Sequence, residues 1–221
     1  MIKNNLYDDS YFIDRDLQDD RRLRCFEQEK RLIQKYIKSG KICDIGCSTG
    51  EFLEYIEWIG EKYGMEVNEK AIIKSKKRGI SFDKNILNQT NFFDIVLFRG
   101  TIQHVPHPFY YIEKSYESIK PGGFLVFLST PNMNSLYYKL FNTLPMLDDL
   151  RNFYIPSNKT LANAVINFGF EVLEIDYPYL RSPYSKPVRD HLNFLKKLLF
   201  RTNVKFAFWG NSMNFIARKP H

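Results

Sequence analysis

Residues 41–51 read Lys41-Ile42-Cys43-Asp44-Ile45-Gly46-Cys47-Ser48-Thr49-Gly50-Glu51, an acid and two glycines set between a short apolar run and the start of a helix. A second carboxylate, Glu66, closes the next apolar run. This pattern suits a nucleoside-bearing ligand laid across the carboxyl edge of a parallel sheet. Gly46 and Gly50 lack a Cβ and let the backbone turn sharply and approach a ligand; Cys47 and Ser48 lie in the same turn and join the candidate pocket. Glu66, with Val67 beside it, can accept hydrogen bonds from both ribose hydroxyls, and bonds to a charged group contribute roughly 1.5–3 kcal/mol.

The missing residues narrow the ligand. A dinucleotide fingerprint needs Gly-x-Gly-x-x-Gly, so that amides at the helix start cradle a pyrophosphate. Here the spacing is Gly-x-x-x-Gly, Ser48 takes the place of a middle glycine, and Asp44 precedes the first glycine by two residues. A carboxylate is a poor neighbour for pyrophosphate and a good one for the α-ammonium of a methionine tail. The expected ligand is therefore S-adenosylmethionine rather than NAD.

Asp44-x-Gly46-x-x-x-Gly50 resembles the first motif of the class I S-adenosylmethionine-dependent methyltransferases. The similarity continues through Tyr63-Gly64-Met65-Glu66, Phe93-Asp94-Ile95-Val96-Leu97-Phe98, Gln103-His104-Val105 and Ile119-Lys120-Pro121-Gly122-Gly123-Phe124, then Ser129-Thr130-Pro131-Asn132 and Gly169-Phe170-Glu171. These elements follow in the family's order over roughly residues 20 to 218. The resemblance implies S-adenosylmethionine as methyl donor and S-adenosylhomocysteine as product. It also implies a polar contact to adenine just after the third strand, at Asp83 or Asn85. Phe98 and Ile86 are candidate apolar contacts to the ligand.

Methyl transfer from a sulfonium is an in-line displacement, so alignment alone can supply roughly 7–11 kcal/mol. Residues just after the fourth strand, Arg99 to His104, lie nearest the methyl group if the ligand sits beyond the strand ends. His104 is the candidate general base, worth ~10²–10⁴-fold in rate; the alternative is a structural role, ordering the turn into the next helix. Arg99 is suited to an anionic group, either the ligand's carboxylate or the substrate, or to an acid at the sheet edge. His107, before Pro108, falls where relatives often carry a helix-capping acid.

The elements that must position these residues alternate in type. A helix is expected over 21–38, strands at 41–45, near Glu66, at 80–82, 93–98, 124–129, 170–176 and 212–218, and helices at 51–59, from Asn68 to Gly79, from Pro108 to Ile119 and from Ser157 to Gly169. The fold class is α/β: a doubly wound, mostly parallel seven-stranded Rossmann-like sheet with helices on both faces. By resemblance, the last strand inserts antiparallel beside the fifth. One domain is expected over 1–221. Residues 1–20, 133–156 and 177–205 fall where the family places substrate covers, which makes Tyr7, Tyr11 and Arg181 candidate acceptor contacts.

The formal net charge of +7 is uneven: residues 177–221 hold nine lysines and arginines against a single acid, Asp190. Within them Val188, Leu192, Leu195 and Leu199 form an apolar helical stripe, with Arg189, Lys196, Lys197 and Arg201 beside or opposite it. Three readings follow: a cover helix packed on the core through that stripe, a helix on an anionic membrane surface, or a basic rim recruiting a phosphate-bearing substrate. No Asn/Asp-Pro-Pro-Tyr or Pro-Cys follows the fourth strand and no RNA-binding motif is visible, so nucleic acid is disfavoured. The pattern Gln103-His104-Val105-Pro106-His107-Pro108 is most similar to members acting on small molecules or saccharides, and methylation at oxygen is the leading expectation. Docking on RNA or protein and binding without turnover are the alternatives. No metal-ligand cluster is evident. Three unpatterned cysteines, the absence of a signal-like apolar start and the absence of a run long enough to span a bilayer point to the cytoplasm. The sequence leaves the oligomeric state undetermined.

Overall fold

The computed structural model describes residues 20–83, 85–147 and 152–221. Tyr7, Tyr11 and the expected cover over 1–20 lie outside the described residues, apart from Asp20. Helix α1 (Asp20–Gln34) buries Phe26, Glu29, Leu32 and Ile33 along one stripe. Strand β1 (Ile42–Ile45) is buried at every position, as expected of a strand covered on both faces. The glycine turn leads into α2 (Glu51–Tyr55), which ends earlier than the expected 59. Glu57 adopts a left-handed φ of 50°, and the Trp58 indole N–H donates to the Gly40 carbonyl at 2.8 Å. Next come β2 (Lys62–Met65) and α3 (Glu69–Lys77), the latter capped by the Asn68 side chain accepting from the Ala71 amide. The chain continues through β3 (Phe93–Arg99), α4 (Pro108–Ser118), β4 (Ile119–Pro131), α5 (Leu136–Phe141), α6 (Asn158–Asn167), β5 (Glu171–Asp176), α7 (Pro187–Phe200) and β6 (Ser212–Arg218).

The six strands form one sheet in the order β2-β1-β3-β4-β6-β5. The first four in that order are parallel, and β6 runs antiparallel to both β4 and β5. The last strand thus lies beside β4 as anticipated, but among the described residues the strand count is six rather than seven. The expected strand at 80–82 is reduced to a bridge between Tyr63 and Ser81. Ser81 exchanges two backbone bonds with β2, to the Lys62 carbonyl (2.8 Å) and from the Gly64 amide (2.9 Å). Asp83 then accepts from the Asn85 amide at 2.9 Å and turns the chain away before pairing can extend.

The two faces of the sheet carry separate cores. Cys43, Val96, Phe98, Phe127 and Phe215 pack with Ile112 of α4 and Leu161 and Val165 of α6. Ile42, Ile95, Leu97, Val126 and Ile216 pack with Phe26 and Ile33 of α1 and Phe52 and Leu53 of α2. A third cluster joins the two expected cover stretches: Tyr137 and Leu144 of 133–156 pack with Phe206 and Phe208, which lie just beyond 177–205, and Phe194 of α7 packs against them. The packing of α7 corrects the leading expectation for 188–201. Asp190, Phe194 and Lys197 face inward, while Val188, Leu192, Leu195 and Leu199 are exposed. Asp190 sets this orientation by accepting from the Lys186 amide (2.6 Å) and the Tyr179 hydroxyl (3.1 Å), and Phe194 stacks on Phe208 at 4.3 Å.

Candidate functional site

The turn after β1 is built by three residues in left-handed conformation, Gly46 (φ 78°), Ser48 (φ 53°) and Gly50 (φ 81°). The glycines are required by the chain's own packing. A Cβ on Gly46 would fall 2.4 Å from the Thr101 side chain, and one on Gly50 2.4 Å from Ile80 Cδ1. Thr101 belongs to the segment after β3, so Gly46 brings the two strand ends close together. The Gly46 and Cys47 amides both donate to the Met65 carbonyl, at 2.8 and 3.1 Å, and seat the turn on the end of β2.

Glu66 holds the same turn from the other side. Its Oε2 accepts from the Ser48 amide at 3.0 Å, and Oε1 accepts from Val67 (2.7 Å) and Asn68 (3.1 Å). A carboxylate has about four acceptor positions, so these three bonds leave capacity for a ligand hydroxyl. Val67 stands exposed beside it. Asp44 is buried at the end of β1 with Oδ1 unpartnered among the described residues. Burial pushes its carboxyl up to about 8, opposed by the nearby Arg99 cation and reinforced by Glu66 and Glu29. The Ser48 and Thr49 hydroxyls are likewise buried without partners. These unspent acceptors fit the ligand expected from the sequence: a cation for Asp44 and hydroxyls for Glu66.

Arg99 ends β3, and its Nε donates to Glu29 Oε2 at 2.7 Å. Glu29 Oε1 accepts from Ser129 Oγ at 2.6 Å, and the guanidinium lies 4.3 Å over the Phe26 ring. The geometry therefore gives Arg99 an acidic partner at the sheet edge. Glu29 is not among the residues named from the sequence, and Ser129 is named there only as the first residue of the Ser129–Asn132 motif. The signal for Glu29 was present: an acid three residues after Phe26 and four before Ile33, on the buried stripe of α1. Ser129 occupies a left-handed φ of 48° where the β4–β6 register shifts, an irregularity of the kind found beside active sites.

His104 closes the turn Ile102–His104 directly after β3 and is half-buried. Its Nε2 lies 3.2 Å from Gln103 Nε2. The Gln103 amide nitrogen also donates to the Gly100 carbonyl at 3.0 Å, and a carbonyl can only accept, so the group facing His104 is a donor. The imidazole Nε2 is then the acceptor, and the neutral ring carries its hydrogen on Nδ1. The Gln103 carbonyl receives the Phe153 and Tyr154 amides, which ties a cover stretch to this turn.

Other candidates are placed differently. Phe98 is fully buried and stacked on Phe127 at 5.2 Å, which makes it a packing residue of the core; Ile86 is buried in the same cluster. Burial raises the Cys47 thiol, whose sulfur abuts Gly64. Asp83 caps its own turn through Asn85. His107 is exposed and makes no side-chain cap to α4. Arg181 pairs with Asp176, and its carbonyl accepts from Gln28 of α1.

A family model described as a methyltransferase domain matches residues 17–175. The chain is similar to a Thiobacillus denitrificans (strain ATCC 25259 / T1) protein named ubiquinone biosynthesis O-methyltransferase, 30% identical over 112 residues, 45% of this chain and 48% of that one. A protein of the same name from Azoarcus sp. (strain BH72) is 28% identical over 156 residues, 61% of this chain and 66% of that one. The chain spans about half the length of the first relative and 66% of the second. A solved structure of an Archaeoglobus fulgidus SAM dependent methyltransferase superposes with a TM-score of 0.65 at 19% identity, over 96% of this chain and 100% of that one, a likeness of fold.

Proposed function

Because the chain belongs to the methyltransferase domain family, we propose that it transfers a methyl group from S-adenosylmethionine to an oxygen of a small-molecule or glycan-like acceptor, leaving S-adenosylhomocysteine. The observation that carries this reading is the pair of acids flanking the 46–50 turn. Asp44 is buried with an unspent oxygen, and Glu66 is fixed by three amides at the end of β2. When bound, S-adenosylmethionine supplies an electrophilic methyl group on its sulfonium. Asp44 would hold the α-ammonium and Glu66 the ribose hydroxyls, with the glycine turn letting the backbone pass close to the ligand between them. His104 would take the acceptor hydroxyl's proton on Nε2, with that hydroxyl replacing Gln103 as the donor. We read the chain as one domain whose stretches 133–156 and 177–205 cover the acceptor side. The relatives' names support an oxygen acceptor and a small molecule.

The test is transfer of a labelled methyl group from S-adenosylmethionine into a cell extract, separated into small-molecule and macromolecular fractions. Label in small molecules or glycans that survives nuclease and protease supports the proposal. Label lost to either enzyme means a macromolecular acceptor. Binding of S-adenosylmethionine without transfer to any fraction would make the chain a partner protein.

A further inference from the structure

Helix α7 has two faces, and the described residues pack against only one. The inner face is fixed by Asp190, by Phe194 against Phe208, and by Lys197, whose Nζ donates to the Thr202 carbonyl at 3.0 Å and lies over the Phe141 ring. On the opposite face Val188, Leu192, Leu195 and Leu199 are between 53% and 78% exposed, and Phe200 at the end is 73% exposed. Four apolar side chains in one row on a helix are a patch rather than scattered surface residues. Arg189, Lys196, Arg201 and Lys205 are exposed around it. The one acid of residues 177–221, Asp190, is buried and hydrogen-bonded inward, so no carboxylate of this segment offsets them.

We infer that α7 docks this protein on an anionic lipid surface, its leucine row entering the headgroup boundary while the flanking cations meet lipid phosphates. The charge pattern selects this occupant. A second copy seated on the same face would set Arg189 and Lys196 against their own duplicates, and like charges across an interface are costly. A polyanion without an apolar layer would leave the leucine row uncovered. The contact inferred is a peripheral one; no helix among the described residues is long and apolar enough to cross a membrane. The helix is already anchored through its inner face, and binding need not fold it. The segment leading into α7 packs on α1: Gln28 donates to the Arg181 carbonyl, and Arg21 lies over the Tyr184 ring.

The full chain should sediment with phosphatidylcholine vesicles containing phosphatidylglycerol and remain in solution with phosphatidylcholine alone, and added salt should weaken the binding. Leu192→Asp with Leu199→Asp, or Arg189→Glu with Lys196→Glu, should weaken it by about tenfold or more. Both pairs are exposed, so the melting temperature and S-adenosylmethionine binding should be unchanged, which separates this test from the proposed activity. Equal behaviour with the two vesicle types overturns the inference. So does a wild-type dimer that the leucine variants dissociate, which would assign the face to a second copy. A lower melting temperature in the leucine variants would likewise overturn it by showing that the chain itself covers the row.

Discussion

Arg99 Nε donates to Glu29 Oε2 at 2.7 Å and so fastens the carboxyl end of β3 to the middle of α1. The same carboxylate accepts from Ser129 Oγ, so one buried acid gathers α1, β3 and β4 at the edge where the candidate site lies. The guanidinium is also the cation that draws Asp44 toward its charged form. Support and site chemistry are therefore coupled through Arg99.

Glu29→Ala should destabilise the protein by about 3 kcal/mol, because removing one member of a buried pair leaves the other charge unpaired. Glu29→Gln, which keeps one acceptor oxygen, should cost less. Removing both partners in Glu29→Met/Arg99→Met should cost less than the sum of the single changes. Urea unfolding of the wild type, Glu29→Ala, Glu29→Gln, the two single methionine variants and the double variant measures this; additive costs in the methionine series would show that the pair is not coupled.

Asp44→Asn should separate stability from ligand binding. Asp44 has a folded-state value of about 8, above its ordinary carboxylate range. The native state therefore retains a proton that the unfolded chain gives up, and stability contributed by the neutral form is lost as pH rises from about 4 toward about 8. Asp44→Asn should remove this slope and leave thermal stability at pH 7 equal or higher. If Asp44 holds the ligand's ammonium in its ionised form, wild-type affinity for S-adenosylmethionine should rise between about pH 6 and 8. The asparagine variant should bind at least about tenfold more weakly at pH 8 and lack the rise. Calorimetric titration at several pH values reads both; a flat wild-type profile would remove Asp44 from the ammonium site.

The parts of the fold set by local rules were legible. The β1 turn and Asn68 cap follow from residue types a few positions apart, and β6 was placed by the family pattern. The parts set by distant partners were not. Glu29 meets Arg99 and Ser129, 70 and 100 residues away, and only its position on an apolar stripe hinted at burial. Residues 80–82 have a strand's composition, but the turn at Asp83 stops the pairing after one bridge. Periodicity in 188–201 found the apolar face but not its direction, and packing on the core, the reading it favoured, is not the one the structure adopts. Asp190, a residue the pattern leaves out, is what turns that face outward. Phe98 has the chemistry of a ligand contact and the register of a core residue, which alternation along β3 alone could not separate from its neighbours.

Glu66→Ala should weaken S-adenosylmethionine binding at least tenfold, about 1.4 kcal/mol or more. It removes the acceptor for three amides as well as for the ribose, so the Ser48 amide should lose hydrogen-exchange protection in the ligand-free protein. Glu66→Gln retains one carbonyl oxygen and should fall between the two. Unchanged affinity in the alanine variant would remove Glu66 from the pocket, whereas lost protection alone would leave it a support for the turn.

His104 and Gln103 are distinguished by what each contributes to turnover. If His104 is the base, His104→Ala should lower kcat by ~10²–10⁴ and leave S-adenosylmethionine affinity unchanged. Gln103 presents an amide donor to Nε2 and fixes the tautomer with its lone pair there. Gln103→Leu should therefore lower kcat by a smaller factor, on the order of tenfold, through loss of orientation rather than of the base itself. In the absence of His104 there is no imidazole to orient, so adding Gln103→Leu to His104→Ala should cost little more, a non-additivity expected of groups acting as a unit. Single-turnover rates of the four proteins with the identified acceptor decide it. A His104→Ala loss below tenfold would return the imidazole to ordering the turn before α4. Full additivity would mean that the Gln103 side chain acts independently of the imidazole, through its bond to the Gly100 carbonyl.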